Sequence, residues 1–180
     1  MPDFSALSAV LGAGLPATFT FLYQRLEHLL DRHGAPETAL AAPVPLSGEL
    51  SLPLTADQNE LATRQENLET LRDVLDSYRR DPARIDAADP ALLRLLGRLR
   101  GTLEEVYGQR LTFAGEKGRE PSGPYARQRI GTVHGEAVAI DADTVSGRVD
   151  ADQDITTIEE GGRAIGIRVR DLKGPPSSSR

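Results

Sequence analysis

Leucine recurs at three- and four-residue intervals through the first two thirds of the chain, then gives way to short runs in which valine and isoleucine alternate with small or polar residues. The first pattern has the period of a helix and the second that of a strand. Phe19, Leu22, Leu26, Leu29 and Leu30 share one helical face and Gly34 follows as a stop, which predicts an amphipathic helix over residues 17–33. Leu7, Val10, Leu11 and Leu15 predict a helical segment before it. Gly14 and Pro16 should kink or break the two apart, because proline lacks the N–H of the helical bond and crowds the preceding turn. Two such segments would form a hydrophobic hairpin.

Residues 34–54 contain Pro36, Pro43, Pro45 and Pro53 and read as a linker, since each proline withdraws a backbone donor. Leu46, Leu50, Leu52 and Leu54 make it too apolar for a solvated tether, so part of it should lie extended on a surface, its own or a partner's. Thr55-Ala56-Asp57-Gln58 has the form of a capping box, with Thr55 as the cap and Gln58 reaching back to it. Leu61, Leu68, Leu71, Leu75 and Tyr78 then trace a narrow apolar seam along a charged helix that should stop near Asp81-Pro82, about 35 Å in length. Asp89-Pro90 opens another helix, cap then first-turn proline, that runs through Leu92, Leu95, Leu96, Leu99, Leu103 and Val106 to Gly108. The two should pack as a long antiparallel pair.

Beyond Gly108, Leu111-Thr112-Phe113 suggests a short strand and residues 115–124 a glycine- and proline-rich loop. Strand-like alternation holds from Ile130 to Val169, and within it the chain repeats itself. Gly135-Glu136-Ala137-Val138-Ala139-Ile140 returns as Gly162-Arg163-Ala164-Ile165-Gly166-Ile167, and both copies run on to an apolar residue, Val145 or Leu172. Ile130-Gly131-Thr132-Val133 returns as Ile155-Thr156-Thr157-Ile158, with about two more residues before the second glycine, an insertion that a β-turn absorbs. In each unit the outer two of three residues point to one face, and the small middle residue leaves the other bare enough for a second backbone to approach. A short β-solenoid is the first expectation and a small antiparallel sheet the second. Solenoids usually need about three or more coils to shelter their apolar face, and two copies fall short. Cover must come from the helical part or from the same surface on another copy. The partner-contact candidates are therefore Val138, Ile140, Val145, Ile165 and Ile167.

The expected architecture is α+β: an N-terminal helical segment (1–33), a proline-rich linker (34–54), a helix pair (55–108), a repeat-built β module (109–172) and a disordered tail (173–180). Aromatics make up 4% of residues, so the core must be built from aliphatic side chains. A net charge of -6 argues against general nucleic-acid binding, which draws its affinity from basic residues that neutralise phosphates. Without cysteine there is no disulfide, thiolate metal site or cysteine nucleophile, and the cytoplasm is the expected compartment. Phe4 to Tyr23 is uncharged and long enough to span a bilayer, but its serines, threonines, glycines and proline dilute it and favour a buried helix. Membrane attachment through residues 4–23 is the alternative.

The candidate catalytic and metal patterns fail on spacing or on a missing partner. Asp150, Asp152 and Asp154 resemble the opening of a calcium loop, yet Ile155 stands where glycine is required and Gly161 where the bidentate glutamate belongs. Solvated turn acids between the repeats are the expectation there, and a calcium-dependent module the alternative. Asp141 and Asp143 share one side of a strand without a partner base. His28 and His33 lie on different helical faces, and His134 precedes a glycine as a turn or surface residue. Ser146-Gly147 lacks the setting of a nucleophile elbow, and Gly115-Glu116-Lys117-Gly118 lacks phosphate-loop spacing. No catalytic residue, cofactor or metal is implied.

Phe21-Leu22-Tyr23-Gln24-Arg25-Leu26, then Val106 through Phe113, and Glu159-Glu160-Gly161-Gly162 with Gly166-Ile167-Arg168-Val169 give most of the chain a resemblance to a known group. It resembles the small accessory proteins of GC-rich, multicellular-type bacteria that are encoded beside effector modules of NTPase- or protease-linked conflict systems. The resemblance implies an adaptor or constant component with a protein partner, not a catalyst, and transfers no functional residue. With the repeat, it leads to the expectation of a non-enzymatic adaptor or scaffold that forms homo-oligomers or docks on its own helices.

Overall fold

A computed structural model describes residues 5–40, 46–146 and 150–173. The fold is α+β, with three α-helices and small sheets among the described residues, and it divides into a unit that ends at Ser122 and a unit that begins at Gly123.

In the first unit, α1 (Ser5–Asp31) is one helix with Pro16 inside it. The expected break and hairpin are therefore corrected. Proline costs a mid-helix segment about 3 kcal/mol, but most helical stability in proteins comes from packing. Leu15, Thr18, Phe19 and Leu22 are buried on both sides of Pro16, and the Thr20 hydroxyl donates to the Pro16 carbonyl at 2.8 Å. The helix stops as expected at Gly34, with φ at 69°, whose N–H donates to the Leu29 carbonyl at 3.1 Å. A side chain at Gly34 would start 2.8 Å from the Ala56 Cβ, so both the backbone angle and the space demand glycine.

Helix α2 (Gln58–Arg80) is capped by Asp57, not Thr55. The Asp57 carboxylate accepts from the amides of Asn59 and Glu60 at 2.8 and 3.1 Å, while the Thr55 hydroxyl turns to the Pro53 carbonyl at 3.3 Å. A tertiary bond decides between these neighbouring caps: the Asp57 N–H donates to the Val106 carbonyl at 2.8 Å and fixes where the helix begins. Helix α3 (Pro90–Tyr107) has the expected ends, the Asp89 carboxylate on the amides of Ala91 and Leu92 and Gly108 in the left-handed conformation. All five seam residues of α2 are buried, and they share one core with Phe21, Leu22 and Leu26 of α1 and Leu92, Leu96, Leu99 and Leu103 of α3.

The described parts of the linker, residues 34–40 and 46–54, lie on their own unit. Glu37 and Leu54 exchange backbone hydrogen bonds at 2.9 and 2.8 Å, Leu54 is buried, and Leu40, Leu46 and Leu50 pack partly against the core. Pro43 and Pro45 lie outside the described residues. The strand expected at Leu111-Thr112-Phe113 does not form: β1 is Gln109–Arg110, and Phe113 makes a single bridge to Leu46. Side chains take the donors that a strand partner would have used. Glu104 accepts from the Leu111 amide and Glu116 from the Phe113 amide, both at 2.8 Å, and the Ser122 hydroxyl accepts from the Thr112 amide at 2.9 Å.

The second unit contains β2 (Gly123–Val133), β3 (Glu136–Ser146), β4 (Asp150–Ile158) and β5 (Arg163–Lys173). Strand β2 pairs with β4 at a constant offset, Tyr125 with Asp150 through Val133 with Ile158. Strand β3 pairs with β5, Glu136 with Arg163 through Ser146 with Lys173. Both ladders are parallel, unlike the antiparallel sheet that stood as the second expectation, and each brings the two repeat copies side by side. The two extra residues fall between β4 and β5, where the Gly162 N–H closes a turn on the Glu159 carbonyl at 2.8 Å and Gly161 takes φ of 84°. The Arg163 N–H donates to the Gly135 carbonyl at 2.7 Å and ties the second corner to the first. Asp150 to Asp154, expected as turn acids, form the opening half of β4. Their ladder partners explain it, since Asp152 pairs with Arg127 and Asp154 with Arg129. The tail from residue 174 lies outside the described residues.

Candidate assembly surface

The register gathers the contact candidates into lateral pairs: Val138 beside Ile165, Ile140 beside Ile167 and Val145 beside Leu172. Val138 and Ile165 are half-buried, and Ile167 is 41% exposed. The side chains of Ile140 and Val145 lie outside the described ones. Which way the ribbon faces follows from Gly166. A Cβ built there would sit 3.9 Å from the Ala151 Cβ and the Gln153 side-chain oxygen, so the bare side of β5 looks toward β4. By strand alternation, Ile165 and Ile167 face away from it. On β4, half-buried Ala151, Gln153 and Ile155 alternate with exposed Asp154, Thr156 and Ile158, the last 50% exposed. Among the described side chains of this unit, Gly166 and Ala151 thus face each other between β5 and β4, while Ile158 and Ile167 are left to solvent.

Sequence reasoning missed Ile158 and a second feature, the sign of the charge on each strand. Strand β3 carries Glu136, Asp141 and Asp143 and no base, whereas β5 carries Arg163, Arg168, Arg170 and Lys173 against Asp171. In the other ladder the signs are crossed: β2 carries Arg127 and Arg129, and β4 carries Asp150, Asp152 and Asp154. Every ladder therefore joins an acidic strand to a basic one, with Glu136 beside Arg163 and Asp141 beside Arg168. The Arg168 guanidinium reaches the Glu136 carboxylate at 2.6 Å. At the corner, His134 Nδ1 lies 2.9 Å from the Glu159 carboxylate, both groups exposed. The signal was present in the sequence, and applying the repeat offset to charged positions as well as apolar ones would have revealed it.

The remaining polar clusters brace the helical unit. Arg100 pairs with Glu116 and Arg119 with Glu104, and the two glutamates also hold the amides of Phe113 and Leu111. Burial lowers the pKa of the Arg100 guanidinium and nearby Arg119 adds to this, while Glu116 opposes both. Arg25, buried above the Phe21 ring, pairs with Glu37 at 3.1 Å. Burial pushes the Tyr107 hydroxyl well above the ordinary tyrosine range, and the Glu37 charge pushes the same way. These groups form ion pairs and amide caps rather than a nucleophile beside a base. Among the described residues, no group of three histidine, aspartate or glutamate side chains could hold a metal ion. Asp154 is exposed, and the side chains of Asp150 and Asp152 lie outside the described ones. Among the described residues no helix is long and apolar enough to cross a membrane, and Phe4 lies outside them.

Compared with known proteins, the chain matches no family model, no curated protein and no solved structure.

Proposed function

We propose that this chain is a non-enzymatic adaptor or scaffold whose C-terminal unit joins protein surfaces. In this reading β2 with β3 and β4 with β5 are the two coils of a short β-solenoid. Helices α2 and α3 form a long antiparallel pair that receives an effector partner, as the resemblance to conflict-system accessory proteins implies. The observation that carries the reading is the pair Ile158 and Ile167, about half-exposed on a unit of two coils. A two-coil solenoid has no inner coil, so both of its coils are ends. Strand edges and outward aliphatic side chains of this kind are templates for pairing with another chain.

Light scattering on the full chain and on a version ending at Ser122 tests the reading. The full chain is expected to exceed its 19.4 kDa monomer mass increasingly with concentration, and the shortened version to stay monomeric. A monomeric full chain at every concentration would remove self-association and leave only the docking role.

A further inference from the structure

Resting on that reading, we infer that the second coil is a receptor for a strand-turn-strand arc of another protein, basic in its first arm and acidic in its second, which adds to the chain as a third coil. The order of strands leaves β4 at the end of the three-stranded sheet and β5 at the end of the two-stranded one, so among the described residues each has one edge without a strand partner. Coils of a solenoid follow one another in a single direction, so these two edges face the same way and one partner can meet both.

What the edges accept is shown by what they already hold. On its inner edge the acidic β4 takes Arg127 opposite Asp152 and Arg129 opposite Asp154, in parallel register. The basic β5 takes Glu136 opposite Arg163 and Asp141 opposite Arg168. Side chains of a strand stand above and below the sheet and meet neighbours on both edges, so the outer edges select the same signs. Main-chain hydrogen bonds along an added strand supply affinity, and charge fixes which arm lies on which edge.

A second copy does not have this arc to give. Its own basic and acidic arms are β2 and β3, and β2 lies between β1 and β4 with no free edge. Its second coil, offered in the parallel sense of the internal ladders, sets Asp150, Asp152 and Asp154 against themselves and Arg163, Arg168, Arg170 and Lys173 against themselves. Like charges directly opposite across strands are destabilising. Association between copies through this coil is therefore the weaker contact, and an arc of the right signs displaces it. A third coil also brings the solenoid to the number at which such repeats usually become stable. Strands β3 and β5, otherwise a pair, then belong to a wider sheet.

The full chain and a synthetic peptide of residues 123–146 test the inference, since that stretch is the first coil's own strand-turn-strand sequence freed from the fold. Fluorescence anisotropy of the labelled peptide is expected to show saturable binding. A peptide carrying Arg127→Asp, Arg129→Asp, Glu136→Arg and Asp141→Arg should bind at least roughly tenfold more weakly. A full chain with those four changes and also Asp152→Arg, Asp154→Arg, Arg163→Glu and Arg168→Glu keeps each of these internal pairs opposite in sign and the net charge at -6. It is expected to prefer the exchanged peptide by the same factor. The chain has no cysteine, so a cross-link can locate the peptide. Thr157→Cys in the chain should form a disulfide with Thr132→Cys in the peptide, because the register sets those positions side by side on strands about 4.8 Å apart. Thr144→Cys, on the peptide's other arm, should give none.

Equal affinity of the chain for both peptides, or a cross-link to the wrong arm, would overturn the inference. Absence of peptide binding by a chain that still associates with itself would overturn it too, and leave the joining role standing. A chain that binds neither peptide and stays monomeric would overturn both together.

Discussion

Arg100→Ala is expected to lower the stability of the helical unit by about 3–5 kcal/mol, the cost of leaving one member of a buried ion pair without its partner. The Arg100 side chain is 3% exposed and that of Glu116 is fully buried, so water cannot take the place of the missing guanidinium. The damage spreads beyond the pair. The Glu116 carboxylate also accepts from the Phe113 amide, and the Phe113 ring meets Phe21 edge-on with centroids 5.9 Å apart, so any shift of Glu116 loosens a wall of the core. Domains of this size are commonly stable by about 5–15 kcal/mol, which makes such a loss large enough to leave a marginal protein partly unfolded. Urea denaturation followed by helical circular dichroism measures it. A loss below about 1 kcal/mol, the scale of an exposed ion pair, would contradict the buried-brace account.

Replacing both Ile158 and Ile167 by serine is expected to weaken association of the full chain while sparing its fold. Full burial of a large aliphatic side chain stabilises by about 1.5–3 kcal/mol, and roughly half of each of these two remains available to be buried. About 1 kcal/mol per residue follows, or roughly thirtyfold in the association constant for the pair if they act independently. Sedimentation at several concentrations reads the shift, and an unchanged circular dichroism spectrum separates it from misfolding. The same association constant with and without the two isoleucines would show that the outward face takes no part.

Much of this fold could be read from the sequence, for reasons that differ by region. The ends of α3 were legible because Asp89, Pro90 and Gly108 act locally, as cap, first-turn proline and left-handed stop. The strand ladders were legible because parallel pairing sets repeat copies side by side, so a repeat in sequence becomes a register in space. What failed depended on distant residues. Continuity of α1 through Pro16 is carried by packing, and the choice of Asp57 over Thr55 by a bond to Val106. Aspartate disfavours strands in isolation, so Asp150 to Asp154 looked like a turn until Arg127 and Arg129 were seen across the ladder. The outward direction of Ile167 was hidden for the same reason. It follows from which neighbour Gly166 faces, and that neighbour, β4, belongs to the other ladder.

Hydrogen exchange of the full chain at low and high concentration tests most directly whether β3 and β5 are unfinished edges. In dilute solution their outward amides should exchange rapidly, and at high concentration protection should rise across Glu136–Ser146 and Arg163–Lys173 while α2 and α3 stay unchanged. Full protection of both strands in the dilute monomer, with no change on concentration, would mean that the unit is complete in a single chain and would contradict the joining role.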